Sequence, residues 1–137
     1  MDKKDLKIFI ALSRTLNKVN RLSAEVFKRH NLTTGQFAVL EALYHKGDKC
    51  VGEIQELILS TSGNMPVLIR NLETRGFVST RPLESDRRSK LVSLTPEGRE
   101  IIKKSFPENA QVMHDYFGRL SQEEKTTLLE ILENFKE

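Results

Sequence analysis

Apolar residues recur at steps of three and four along most of this chain, and the breaks in that rhythm divide it into elements. Phe9, Leu12, Leu16, Val19, Leu22 and Val26 form one stripe over roughly five helical turns. This predicts a long first helix ending near Arg29-His30-Asn31, and a helix of that length must bury its stripe against something. Leu32-Thr33-Thr34-Gly35-Gln36 reads as the next helix start, because Thr33 can cap and Gln36 completes a capping-box pattern. That helix carries Phe37, Leu40, Leu43 and Tyr44 on one side and stops at Lys46-Gly47-Asp48. Ile54, Leu57 and Ile58 mark the inner face of a short helix starting near Gly52.

Ser60-Thr61-Ser62-Gly63-Asn64 is a polar turn rich in capping residues, followed by Met65, Leu68, Ile69 and Leu72 at helical spacing up to Arg75-Gly76. Proline is tolerated only in a helix's first turn, so Pro66 places the cap near Asn64 rather than at Ser60. After Gly76 the period changes. Phe77–Arg81 and Lys90–Leu94 have strand composition, with a polar loop between them, which predicts a two-stranded hairpin. Thr95-Pro96 restarts a helix with the stripe Ile102, Phe106, Met113 and Phe117, which Pro107 is expected to kink or split. Ser121-Gln122-Glu123-Glu124 is a second capping box, opening a last helix with Leu128, Ile131, Leu132 and Phe135 as its inner face. The order is four helices, a hairpin and two helices, without internal repeats.

At 137 residues the chain fits one compact domain and is too short for a barrel enzyme or a kinase. No stretch approaches the roughly 20 uncharged apolar residues of a membrane span. The charged start, Met1-Asp2-Lys3-Lys4-Asp5, has no signal-peptide pattern, and the single cysteine cannot form an internal disulfide. Together these favour a reducing cytoplasm and no membrane partner. The net charge of +3 conceals an asymmetry: residues 1–59 carry +3, residues 60–104 carry +4 and residues 105–137 carry −4.

The basic middle coincides with a recognisable order of elements. Three helices followed by a hairpin is the order of a winged helix-turn-helix, in which the helix after the short turn enters the major groove of duplex DNA. Its outward positions include Asn64, Pro66, Val67, Arg70 and Asn71. Arginine pairs with guanine edges and asparagine with adenine edges through two hydrogen bonds. Ser60, Thr61 and Ser62 precede the helix, where hydroxyls and free backbone N–H groups suit phosphate oxygens. The hairpin tip presents Arg87, Arg88 and Lys90, the shape and charge for a narrow minor groove. Each feature alone is ordinary capping or solvated charge; their ordered combination within one short stretch points to DNA.

Asp86-Arg87-Arg88-Ser89-Lys90-Leu91-Val92-Ser93-Leu94-Thr95 resembles the wing signature of the MarR family of bacterial transcription regulators. Leu32-Thr33-Thr34-Gly35-Gln36-Phe37 resembles that family's second-helix start, and Ser62–Met65 with Asn71–Val78 resembles its recognition helix and first wing strand. Leu120–Lys125 resembles the start of its last helix, so the likeness covers essentially the whole chain. The resemblance implies a mainly α fold with a small β-hairpin wing, a winged helix-turn-helix flanked by N- and C-terminal dimerisation helices. Residues 1–137 then form a single domain, with 32–95 as the DNA-binding module and 1–31 and 96–137 as the dimerisation helices. It further implies a homodimer on a pseudo-palindromic operator, acting as a repressor, with Leu6, Phe9, Leu128, Ile131, Leu132 and Phe135 at the dimer interface. Arg88 becomes the wing arginine, and Asp86 braces the wing.

Members of that family often bind a small aromatic or phenolic effector between the dimer helices and the winged module. Leu12, Leu16, Phe37, Phe106 and Met113 are the candidates for such a pocket, or they are plain core. Cys50, beside Lys49 at a helix start, is either a thiol of lowered pKa suited to redox sensing or the filler of a small half-buried position in a first short strand of the wing sheet. His30, His45 and His114 lack metal-ligand spacing, so no metal and no cofactor is expected. No phosphate-binding loop, His-Glu-x-x-His or Gly-x-Ser-x-Gly is present, so no enzyme is expected either. The remaining rival is a winged helix that contacts only proteins.

Overall fold

The computed structural model describes residues 2–58, 64–86 and 88–136. The elements are α1 (Lys3–Arg29), α2 (Thr34–Lys46), β1 (Lys49–Cys50), α3 (Val51–Ile58), α4 (Met65–Thr74), β2 (Val78–Pro82), β3 (Lys90–Leu94), α5 (Pro96–Phe117) and α6 (Gln122–Glu133). Asp2 caps α1 by accepting from the Lys4 N–H at 2.9 Å. That helix ends where Asn31 turns left-handed at φ 56°, with Leu32 N–H donating to the Phe27 carbonyl and Asn31 N–H to that of Lys28. This pair of reversed bonds satisfies carbonyls that a helix end otherwise leaves open. The same closure ends α4, where Gly76 takes φ 79° and Phe77 N–H reaches the Leu72 carbonyl.

Both capping boxes form: Thr33 with Gln36 at the head of α2, and Ser121 with Glu124 at the head of α6. Thr95 caps α5, accepting from Gly98 N–H at 3.0 Å. Of the kink or split expected at Pro107, the split does not occur, and α5 runs unbroken to Phe117. Lys103, whose carbonyl loses its donor to the proline ring, sits with Pro107 on the exposed side, where water can take the donor's place. The hairpin is joined by a third strand, Lys49–Cys50, the short half-buried first strand that was one of the two readings of Cys50. The sheet order is β1-β3-β2, all antiparallel, with Lys49 opposite Val92 and Val78 opposite Leu94.

The core runs from Val26 to Ile102 and is built from the end of α1, the helix-turn-helix, the sheet and the start of α5. Of the α1 stripe only Val26 is fully buried; Phe9 is 66% exposed and Leu16 59%. The expected inner face of α6 is not inside either: no α6 residue is buried, and Phe135 is 72% exposed. Those stripes are apolar faces without a cover in a single chain. Among the described residues, no helix is long and apolar enough to cross a membrane.

Candidate nucleic-acid interface

Three inward residues, Met65, Ile69 and Leu72, root α4 in the core. Asn64, Pro66, Arg70 and Asn71 are consequently left exposed and Val67 half-buried. Asn64 holds the cap position but makes no side-chain cap hydrogen bond, and Pro66 falls in the first turn, where its missing N–H costs nothing. Ser60, Thr61, Ser62 and Arg87, which the sequence points to for DNA contacts, lie outside the described residues.

The wing is braced from within. Asp86 accepts from the Arg88 N–H at 3.0 Å and from the Ser89 hydroxyl at 3.1 Å, while Leu83 N–H closes the loop onto the Ser89 carbonyl at 3.0 Å. Asp86 is thereby engaged inside the loop, and Arg88 stands exposed at its tip. A second tie joins the wing to the helix: the Thr80 hydroxyl donates to Glu73 at 2.7 Å. Sequence reasoning missed this pair, although Glu73 and Thr80 flank the Gly76 turn symmetrically enough to have drawn notice.

Between α4 and the wing lies a groove of about 510 Å³, lined by Pro66, Arg70, Glu73, Thr80, Arg88 and Lys90. The fold thus gathers side chains from three separate sequence segments along one channel, Cys50–Gly52 completing the lining. Three of them are cations, and the one carboxylate is held by Thr80. Asn64 and Asn71 are exposed on α4 outside that groove.

Cys50 sits half-buried on β1 and lines the same groove. Its hydrogen bond with Glu53 pushes the thiol above its ordinary value, as do burial and the charges of Glu53 and Asp86; Lys49 opposes them. The thiol is therefore not the activated one that its neighbour Lys49 led the sequence reading to entertain. The missed signal is Glu53, three positions on, which reaches back to the Cys50 N–H at 3.0 Å like one half of a capping box.

The five effector candidates do not share one pocket. Leu12, Leu16 and Met113 line an apolar groove of about 780 Å³ between α1 and α6, floored by α5. Phe37 instead stacks on Phe27 at 4.1 Å and borders a different hollow of about 390 Å³, with Asn20, Ser23, Glu41 and His45 around it. Phe106 packs against the His45 ring at 4.7 Å and lines neither. The three histidines are far apart in role. His30 lies 3.1 Å from Glu108, His45 Nδ1 lies 3.0 Å from the Glu41 carbonyl oxygen, and His114 borders the apolar groove. His30 is the main cause holding the Glu108 carboxyl below its usual range; Arg29 adds to it and burial opposes it.

This arrangement has counterparts in known proteins. The family model for the transcriptional regulator SarA/Rot matches residues 21–105, more than half of the chain. The transcriptional regulator MhqR of Bacillus subtilis is 33% identical over 132 residues, covering 96% of this chain and 91% of that protein. A MarR variant from E. coli, complexed with operator DNA, superposes with a TM-score of 0.86 at 21% identity, covering 98% of both chains. Bordetella bronchiseptica BpsR, whose DNA binding is regulated by 6-hydroxynicotinic acid, gives 0.83 at 24% identity, covering 93% of this chain and 91% of that one. The chain belongs to the SarA/Rot family of transcriptional regulators and has the winged-helix fold of MarR.

Proposed function

We propose that this regulator binds duplex DNA sequence-specifically as a homodimer and represses by occupying a pseudo-palindromic operator. The observation that carries the reading is the shared groove, where Arg70 of α4 opens onto the same channel as Arg88 and Lys90 of the wing. A helix in the major groove and a wing in the adjacent minor groove need cations on both and a fixed distance between them. Asn64, Pro66 and Asn71 supply base-facing positions, and Ser60, Thr61, Ser62 and Arg87 are assigned to phosphate and groove contacts by their place in the sequence. The deciding experiment selects duplexes from a random pool and follows affinity against salt. A steep loss of binding with rising salt on a two-fold-related site supports the reading. No duplex binding at low salt refutes it and returns the winged helix to a protein-contact role.

Dimerisation accounts for the uncovered faces. Leu6 and Phe9 on α1, and Leu128, Ile131, Leu132 and Phe135 at the other end of the chain, are all more than a third exposed. Contiguous apolar area of that kind marks an interface, and a second copy with the same two stripes is its natural cover. The larger groove with Leu12, Leu16 and Met113 then belongs to the seam. A small aromatic effector, in this reading, occupies the smaller hollow. The Phe27 and Phe37 edges offer apolar contact there, and Glu41, Asn20 and Ser23 offer partners for a phenolic hydroxyl. Release of a selected duplex by simple phenols, lost in Glu41→Gln, tests that placement.

A further inference from the structure

Arg75 closes α4, and its side chain turns back toward the protein. It follows the buried Ile69 and Leu72 at a step of three, at the exposed end of the helix. Its Nη1 donates to the Asn31 carbonyl at 2.5 Å and to Gln36 Oε1 at 3.1 Å, and the guanidinium lies 4.8 Å over the Phe77 ring. Both acceptors are themselves fixed. Asn31 is the left-handed residue that ends α1, and the buried Gln36 carbonyl oxygen also accepts from Thr33 N–H at 3.0 Å. One guanidinium therefore joins the end of the recognition helix, the end of α1, the first turn of α2 and the start of the wing. Planar geometry with several donors suits such a junction; an ammonium offers a point charge instead.

The consequence is one of leverage. A helix of ten residues is about 15 Å long, so a small swing about its C-terminus moves its DNA-facing N-terminus by ångströms. We propose that Arg75 is a positioning residue: it sets the direction of α4 against α1 and so fixes the spacing between the two recognition helices of a dimer. This rests on the reading that α4 enters DNA and α1 lies in the dimer seam. Arg75 acts through α4 and does not itself read bases or phosphates.

The test uses the full chain with its selected half-sites placed at centre-to-centre spacings of about 8 to 12 base pairs. Wild type, Arg75→Met and Arg75→Lys are compared by fluorescence anisotropy across a salt series, with circular dichroism and sedimentation as checks of fold and mass. Wild type should prefer one spacing. Arg75→Met should lose about tenfold at that spacing and much less one base pair away, because lost charge-assisted hydrogen bonds free the helix to tilt. Its slope of log affinity against log salt should stay unchanged, and Arg75→Lys should restore part of the preference. Retained spacing preference in Arg75→Met overturns the proposal, and a slope reduced by about one would identify a phosphate contact instead. If Arg75→Met does not fold, Arg75→Lys decides alone: a flattened preference supports positioning, an unchanged one overturns it. Wild type binding no duplex refutes the DNA reading and this inference with it.

Discussion

Gly98 is the position where one methyl group should do most damage. It is the third residue of α5, and a Cβ there falls 2.0 Å from the Phe77 carbonyl oxygen and 2.9 Å from its carbon, with Leu94 Cδ2 at 3.2 Å. The nearest atoms are backbone, so no side chain can swing aside. That carbonyl also accepts from Thr95 N–H at 3.1 Å, while the Thr95 hydroxyl donates to Gly76 O at 2.6 Å and accepts from Gly98 N–H at 3.0 Å. Relieving the clash takes more than an ångström of movement at the joint of wing and α5, loosening a hydrogen bond and a helix cap together. Overpacking of this kind costs about 1–3 kcal/mol and each lost bond about 1 kcal/mol, while alanine's helix preference returns up to about 1 kcal/mol. Gly98→Ala should therefore destabilise by about 3 kcal/mol, or roughly 10 °C in Tm for a chain of this size. Gly52→Ala is the control, because a Cβ there meets nothing within 4 Å and its backbone is not left-handed. That variant should match or slightly exceed wild type. Thermal unfolding is followed at one fixed protein concentration, since association shifts Tm. A Gly98→Ala protein as stable as Gly52→Ala would refute the reasoning outright.

Leu132→Asp places a charge on the uncovered α6 face, and sedimentation should show a monomer; an unchanged dimer mass would put the seam elsewhere. Arg88→Ala should weaken duplex binding without lowering Tm, whereas Arg70→Ala should lose about 1–3 kcal/mol of discrimination between operator and random duplex. Equal losses on both duplexes would make Arg70 a phosphate contact. Because the Cys50 thiol is pushed up rather than down, wild type and Cys50→Ser should bind a selected duplex alike before and after mild peroxide; a peroxide loss confined to wild type contradicts this. Glu108 has a depressed pKa, so its stabilising contribution is complete above the ordinary carboxylate value of 4.5 and disappears as pH falls through the lowered folded value. The stability gap between wild type and Glu108→Gln should accordingly close as the pH falls below 4.5, and a gap that widens on acidification reverses the assignment.

What could be read from the sequence was local and periodic. Thr33 with Gln36, Ser121 with Glu124 and Thr95 with Pro96 announce helix starts because capping joins residues only three apart, and all three starts are where they were expected. Pro66 similarly fixed the cap at Asn64 by excluding any earlier start. Relations across the chain were less accessible. A two-residue strand such as Lys49–Cys50 is too short to show a period of two, so it stood only as one reading of Cys50, and its partners Val92 and Leu91 are 43 and 41 residues away. Helical spacing identified Phe37, Leu12 and Met113 as apolar positions, but a period names a face and not the neighbour it meets. Phe37 consequently went to one hollow and Leu12 with Met113 to another. The same limit applies to α6: its period marks an apolar stripe, and only the family resemblance, not the spacing, assigns that stripe to a dimer interface rather than to the chain's own core. Cys50 shows the same limit at short range: the adjacent Lys49 is obvious in the sequence, whereas the Glu53 carboxylate that dominates the thiol becomes its neighbour only once the helix start folds back on it.

The charge layout also governs how the molecule meets its target. Residues 60–104 carry +4 and residues 105–137 carry −4, and α6, which holds Glu123, Glu124, Glu130 and Glu133, packs against neither α4 nor the wing. Such a separation is a permanent electric dipole, and the field of a polyanion exerts a torque on it before any contact forms. The positive end swings inward and the negative end outward during the last nanometres of diffusion, so fewer collisions arrive in a useless orientation. For the DNA-binding dimer proposed above, the acidic helix shortens the search for a site while touching none of it, an effect that belongs to the association rate and fades with ionic strength.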